Sequence, residues 1–405
     1  MVSPARMCLY CKGSRNLCGW RVCPLYSRNR EIPKIKKSLK KDFFGPSTSV
    51  FVGHNFYPNV YVGPLASLDS ENTEIIDSPE KWFGKPYGEI IRFRSLVLRS
   101  KAKENIFSKS KFIEQNQELA LANNPTDVEM FFNKTPKIAF ETSDIVKPMG
   151  PSGTLKKLKI VENPKISQKV EYIVRDEIKA NTAGNLLYKK GVDVHKISTI
   201  LSSGILGKNE NKKLVPTRWG ITATDSMIAD NMLKKVKDFP SVNEFIVFES
   251  EYLDNHFVVL LMPGNWEFDN FEAWAPGSTW SFDLKKTEII EEHEPNRGRT
   301  KYADKQAGGF YASRFAIIEF LHKIKRQARV VAFREISEGY TISLGVWVVR
   351  DTCRHAFRNK PVKFDTLDSA LTYVDSKIKL PLKDYRSKSV MLRQRKLENF
   401  FSKIN

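Results

Sequence analysis

No run of 18 apolar residues occurs in this 405-residue chain, so no membrane-spanning helix is expected. The opening stretch, MVSPARMCLYCKG, lacks the apolar core of a secretory leader, which makes a cytosolic protein the expectation. Cysteine is scarce, at five residues. In a reducing compartment that argues against a disulfide framework. There is no H-E-x-x-H pair, nucleophile elbow, P-loop or dinucleotide fingerprint, and the six histidines are scattered, so no catalytic machinery is legible. No internal repeat is found. Acidic residues are nearly missing from both ends. Residues 1–45 hold 11 Lys/Arg against 2 Asp/Glu, and residues 376–405 hold 9 against 2. The ends therefore carry +9 and +7 of the net +20, and the long middle only +4. Basic ends around a near-neutral body point to a polyanion, most simply nucleic acid. The alternative is that such ends only keep the chain soluble.

What is present suffices for a real core, with 41% apolar and 11% aromatic residues. The length suggests two or three domains. Four of the cysteines, Cys8, Cys11, Cys18 and Cys23, fall in CLYCKGSRNLCGWRVC. Their C-x2-C-x6-C-x4-C spacing allows four thiolates to meet one metal. Gly13 and Gly19 help the backbone fold around it. Zn2+ is the default for four cysteines in a small basic module. An iron–sulfur cluster is the alternative, because Cys23 precedes Pro24. Arg15, Arg21, Arg28, Arg30 and the run Lys34–Lys41 surround the cysteines, as in modules that contact phosphates.

Along the body, TSVFVGHNFYPNVYVGPL (48–65) reads as two extended segments around a turn at Asn55–Pro58. Helices are expected near Tyr87–Leu98 and Ser110–Ala122, and from about 165 to 206. The turn-rich stretch 142–154 offers Gly150 and Gly153, whose N–H groups could meet a phosphate or simply form a surface turn. Pro216–Gly220 reads as a loop, with Thr222 or Thr224 capping a helix to about Lys237. Its Arg218 beside Trp219 is either a cation next to a stacking platform for a single strand or a core contact. Strands are expected at 244–250 and 256–263, then in RVVAFREI and ISLGVWVVR. A short helix is expected from Thr366 to Ile378. Glu267, Asp269 and Glu272 could ligate a divalent cation. The helix within 305–328 opens on Gly308 and Gly309, leaving room for an anion at its positive end, with Arg314 one turn further in. Strands mixed with helices indicate an α/β or α+β body.

The stretches CLYCKGSRNLCGWRVCP, VFVGHNFYPNVYVGPL, KPMGPSG, VPTRWGITATDS, AGGFYASR and QRKLENFF together resemble the archaeal Nre family of DNA repair proteins, in order and over nearly the whole chain. The resemblance implies repair of damaged DNA and binding to the sliding clamp, proliferating cell nuclear antigen (PCNA). Gln394, Leu397, Phe400 and Phe401 are similar to a clamp-interacting PIP motif. In such motifs the aliphatic and aromatic residues form one 3₁₀ turn that fills an apolar pocket. Burying the three apolar side chains is worth about 1.5–3 kcal/mol each. Ordering the tail costs about 1–2 kcal/mol per residue. Side-chain burial alone does not offset that, so backbone hydrogen bonds and the basic flanks must add to it, and micromolar binding, about −8 kcal/mol, is expected.

The expected organisation is a basic four-cysteine module at 1–45, a mixed body at 46–378 with an internal division near 150–165, and a flexible basic tail at 379–405. Two other functions fit the same residues. One is a metal-dependent nuclease using Glu267, Asp269 or Glu272, and the other is an RNA- or ribosome-binding zinc protein.

Overall fold

The computed structural model describes residues 11, 15, 17, 23, 26–138, 150–279, 281 and 284–393, with the backbone alone for 26–29. These residues form two compact units, one within Met7–Asn231 and one within Met232–Asn405.

The first unit is built on a closed barrel of β1 (Asp42–Val52), β2 (Asn59–Ser67), β3 (Val97–Asn105), β4 (Thr126–Phe132) and β5 (Ser152–Ile160), in the order β1-β2-β3-β5-β4. Every pairing is antiparallel except that of β3 with β5. β1 serves two partners. Its first half, from Asp42 to Ser47, pairs with β4, and its second half pairs with β2. A register shift between Ser47 and Ser49 bends the strand around the barrel corner. Val50, Val52, Val60, Val62, Leu98, Val128 and Met130 are buried, the strand alternation that fills a small barrel.

Helix α1 (Tyr26–Ser38) precedes β1, while α2 (Thr73–Ile76) and α3 (Tyr87–Ser95) lie between β2 and β3. α4 (Lys111–Leu121) lies between β3 and β4 and packs on β1 and β5. The Ser110 hydroxyl caps it by accepting from the Ile113 N–H at 3.3 Å, satisfying a donor the helix cannot. α5 (Gln168–Arg175), α6 (Ala180–Lys189), α7 (Val194–Ser202) and α8 (Thr217–Val236) follow.

The second unit holds a six-stranded sheet of β6 (Phe245–Tyr252), β7 (Asn255–Met262), β8 (Glu267–Trp274), β9 (Glu288–Glu294), β10 (Arg329–Ile336) and β11 (Val362–Phe364), in the order β11-β6-β7-β10-β8-β9. Only β10 with β8 is parallel. β7 is buried along its full length, because both sheet faces are covered. One face carries α9 (Gly308–Ile324) and α10 (Trp347–Ala356), through contacts such as Phe268–Phe310 and Phe248–Phe320. The other face packs Val258, Leu260, Phe271 and Phe333 against α11 (Leu367–Lys377), α12 (Leu382–Lys388) and the residues after it. The body is thus a mixture of helices with two sheets. Among the described residues no helix is long and apolar enough to cross a membrane.

Four expectations are corrected. The stretch ISLGVWVVR is not a strand, because α10 begins at Trp347. Its burial of Trp347, Val348, Val349, Thr352 and Cys353 follows a helical stripe that overrides the β preference of its valines. Pro216–Gly220 is not a loop, because α8 starts at Thr217. Gly220 is small for packing, since a Cβ there would lie 2.3 Å from the Ser202 hydroxyl. The body does not divide near 150–165, because β5 closes the barrel there. Nor does it begin at 46, which falls inside β1, or end at 378. Tyr385, Met391 and Leu392 are buried in the core of the second unit, so the segment after Ile378 belongs to that unit through Arg393. Gln394, Leu397, Phe400 and Phe401 lie outside the described residues.

Candidate nucleic-acid interface

The residues singled out for phosphate fall into different environments. Arg15 and Arg30 are exposed. Arg21 and the side chain of Arg28 lie outside the described residues, as do Cys8 and Cys18. Cys11 is buried, and its sulfur accepts the Arg15 N–H at 3.2 Å. Cys23 is half-buried. Gly150 donates its N–H to the Arg94 carbonyl at 3.0 Å, and a Cβ there would fall 2.1 Å from the Val97 carbonyl oxygen. Gly153 is part of β5, with Phe132 where a Cβ would go. Both glycines allow close packing.

The helix start at Gly308 and Gly309 is crowded by a carboxylate. Glu272 places Oε1 2.5 Å from where a Gly309 Cβ would stand, and the same oxygen accepts from Arg334 Nη1 at 2.5 Å. The Gly309 N–H itself donates to the Gln306 carbonyl at 3.0 Å. Arg314 is buried and grips Glu294 with two nitrogens, at 2.5 and 2.8 Å. Phosphate contact does not fit that burial.

The three acids considered for a cation are also engaged, and they do not all converge: Glu267 and Asp269 both reach His293, at 3.6 and 2.6 Å, while Glu272 pairs elsewhere. Glu267 accepts from Arg329 at 2.9 Å. Asp269 is fully buried and holds His293 at 2.6 Å, the Ser389 hydroxyl at 2.5 Å and the Met391 N–H at 3.1 Å. Glu272, at the opposite parity along β8, pairs with Arg334. Their role in this fold is to fasten strands, a helix start and the C-terminal segment.

A different surface gathers cations and aromatic rings. The order β1-β2-β3-β5-β4, with β1 shared by β2 and β4 and a helix between β3 and β4, is the connectivity of the oligonucleotide/oligosaccharide-binding (OB) barrel. Barrels of that kind bind polymers on the face of β2 and β3 and with the β1–β2 and β4–β5 loops. Here Tyr61 stands opposite Lys103, and Leu65 opposite Arg99. The Arg99 guanidinium lies 4.7 Å from the centre of the Phe51 ring, and the Lys103 ammonium 5.9 Å from that of Phe56. Phe56 meets Tyr61 edge-on at 6.1 Å.

The β1–β2 loop exposes Phe56 by 67% and Tyr57 by 44%. Phe56 has φ +66, a left-handed conformation uncommon for a bulky residue. Tyr57 leans on Trp219 at 5.2 Å, and Trp219 is 49% exposed beside exposed Arg218. Thr217 fixes this helix start to the barrel, its hydroxyl accepting the Val52 N–H at 3.0 Å.

The charges on this surface repel. Burial, and then neighbouring Arg94, bring Arg99 down to about 10. Burial and then Arg99 lower Lys101, and burial and then Arg218 lower His54. Of this surface, reading the sequence singled out only Arg218 and Trp219. Phe51, Phe56, Tyr57, Tyr61, Arg99, Lys101 and Lys103 were missed. A signal for them exists, since neither 43–68 nor 90–103 contains an Asp or Glu.

The models of the archaeal Nre family match this chain, the N-terminal one over residues 17–281 and the C-terminal one over residues 294–401. The DNA repair protein NreA of Archaeoglobus fulgidus is 36% identical over 97% of this chain and 98% of its own length. The DNA repair protein NreB of the same organism is 35% identical over 97% and 99%. The DNA repair protein NreA of Haloferax volcanii is 33% identical over 86% and 85%. No solved structure matches the chain.

Proposed function

The chain belongs to the archaeal Nre family, and from that premise we propose that it is a DNA repair protein that binds DNA and is recruited by the sliding clamp, PCNA. The observation that carries this reading is the similarity, over nearly full length, to proteins named for DNA repair. DNA contact is further supported by the basic ends and by a barrel face where Arg99, Lys101 and Lys103 follow one another. Recruitment rests on the residue types and spacing of Gln394, Leu397, Phe400 and Phe401. Basic neighbours such as Arg395 and Lys396 would speed the encounter with an acidic clamp surface.

Calorimetry with the purified clamp tests the recruitment. Binding near micromolar is expected for the full chain. The Phe400→Ala/Phe401→Ala double variant should show none at concentrations about a hundredfold higher. An unchanged affinity in that variant would place the contact elsewhere.

The N-terminal cysteines are proposed to hold one zinc ion through Cys8, Cys11, Cys18 and Cys23. The amide donated to the Cys11 sulfur supports this, because such a bond favours the thiolate a metal needs. Cys353 is fully buried, and burial pushes its thiol up, so it is not expected to contribute. Elemental analysis should find close to one metal per chain, lost in Cys11→Ser and kept in Cys353→Ser. Metal retained in Cys11→Ser would sink the four-cysteine site, and iron with sulfide would select a cluster.

A further inference from the structure

Building on the DNA-binding reading above, we infer that the outer face of β1, β2 and β3, with the β1–β2 loop and the start of α8, is a site for single-stranded DNA. Phe56, Tyr57 and Trp219 stand exposed within one unit of the fold. Flat rings in water are stacking platforms, and the faces of bases are open to them only in an unpaired strand. A duplex keeps its bases stacked and would meet this surface through phosphates alone, leaving the rings unused.

The cations are placed to follow a backbone. Arg99, Lys101 and Lys103 alternate along β3, so successive cations are about 6.6 Å apart. That is the order of one nucleotide step in an extended strand. Two of them already lie against rings, Arg99 on Phe51 and Lys103 on Phe56. A phosphate over the cation and a base over the ring therefore fall side by side. Arg218 adds a fourth cation next to Trp219.

Electrostatics favour an anionic occupant. β2 contains no Asp or Glu, and Arg99, Lys101 and Lys103 point outward from β3 before its half-buried Glu104. Burial and then repulsion between like charges lower Arg99 and Lys101, and a phosphate among them offsets the repulsion. The left-handed backbone at Phe56 holds a large apolar side chain out in solvent. Strain of that kind is retained where an exposed ring has a use.

Fluorescence anisotropy with a labelled oligodeoxythymidylate of about 15 nucleotides tests the site on the full chain, with a duplex and an oligouridylate of equal length as competitors. The wild type should prefer the single DNA strand. Phe56→Ala and Trp219→Ala should each weaken it by about fivefold or more. Lys103→Gln should make the salt dependence shallower by about 0.7 in log–log slope, and Lys103→Arg should restore it. All three positions altered here are solvent-facing, and a melting curve for each variant confirms the fold. Unchanged affinity in both aromatic variants overturns the site while DNA binding stands, carried by other cations. Tighter binding of the duplex, or of the oligouridylate, overturns the assignment to single-stranded DNA. A wild type that binds none of the three overturns the DNA-binding reading itself.

Discussion

A chain ended at Ile378 is expected to lose the fold of its six-stranded unit, whereas one ended at Arg393 should melt within about a degree of the full protein. The segment between these points is fastened at two buried carboxylates. Glu335 on β10 accepts the Lys379 and Leu380 N–H groups at 2.8 and 3.1 Å and the Tyr385 hydroxyl at 2.9 Å. Asp269 on β8 accepts Ser389 and Met391. Removing the segment exposes the apolar surface that Tyr385, Met391 and Leu392 cover, about 1.5–3 kcal/mol per side chain. It also strips both carboxylates of partners, about 1–3 kcal/mol each. The sum is comparable with the whole stability of a typical domain, about 5–15 kcal/mol. Calorimetric melting of the two truncated chains decides the matter. If the shorter one keeps a transition within a few degrees of the full chain, the segment is dispensable.

Arg334→Met should be the most damaging single substitution in the same unit. Arg334 gives Nη1 to Glu272 and both Nε and Nη2 to Asn255 Oδ1, at 3.1 and 2.6 Å, while lying over the Trp274 ring at 5.3 Å. It is buried together with Glu272. Methionine leaves that carboxylate charged and unpaired, a loss of about 3–5 kcal/mol, which lowers Tm by about 10 °C for a unit of this size. Adding Glu272→Met should recover part of the loss by removing the stranded charge. Recovery stays incomplete because the Trp274 indole N–H, which donates to Glu272 at 3.2 Å, and Asn255 Oδ1 remain without those partners. A double variant no more stable than Arg334→Met would show that the ion pair is not the source of the loss.

Local structure was legible in the sequence where pattern and burial agree. The two extended segments around Asn55–Pro58 are β1 and β2. The helix between Ser110 and Ala122 is α4 with those residues as its caps, and Thr366–Ile378 frames α11. Legibility failed where a distant partner decides. Gly220 and Gly150 look like loop residues, yet each is small because another segment passes close by. Gly308, Gly309 and Arg314 suggest an anion site, and it is Glu272 and Glu294 that meet them. Nothing in the local sequence announces a carboxylate from another element. The barrel's cation-rich face was hidden for the same reason, since Phe51, Phe56 and Arg99 are neighbours only after three strands pair. The stretch after Ile378 suggested a solvated tail because its charges are nearly all basic and Pro381 interrupts any continuing helix, although Tyr385, Met391 and Leu392 are enough to anchor it.

That anchor would change the mechanics of the proposed recruitment. A leash beginning at Ile378 would let Gln394 roam over roughly 20 Å before any clamp was met. With the chain pinned through Arg393, Gln394 starts one Cα step, about 3.8 Å, from a residue fixed to the sheet. A clamp engaged at the motif would hold the six-stranded unit on a tether far shorter than that leash. Any second contact between that unit and the clamp would then form at high effective concentration or be barred by geometry. Inserting flexible residues after Arg393 would lengthen the tether without altering a single residue of the motif.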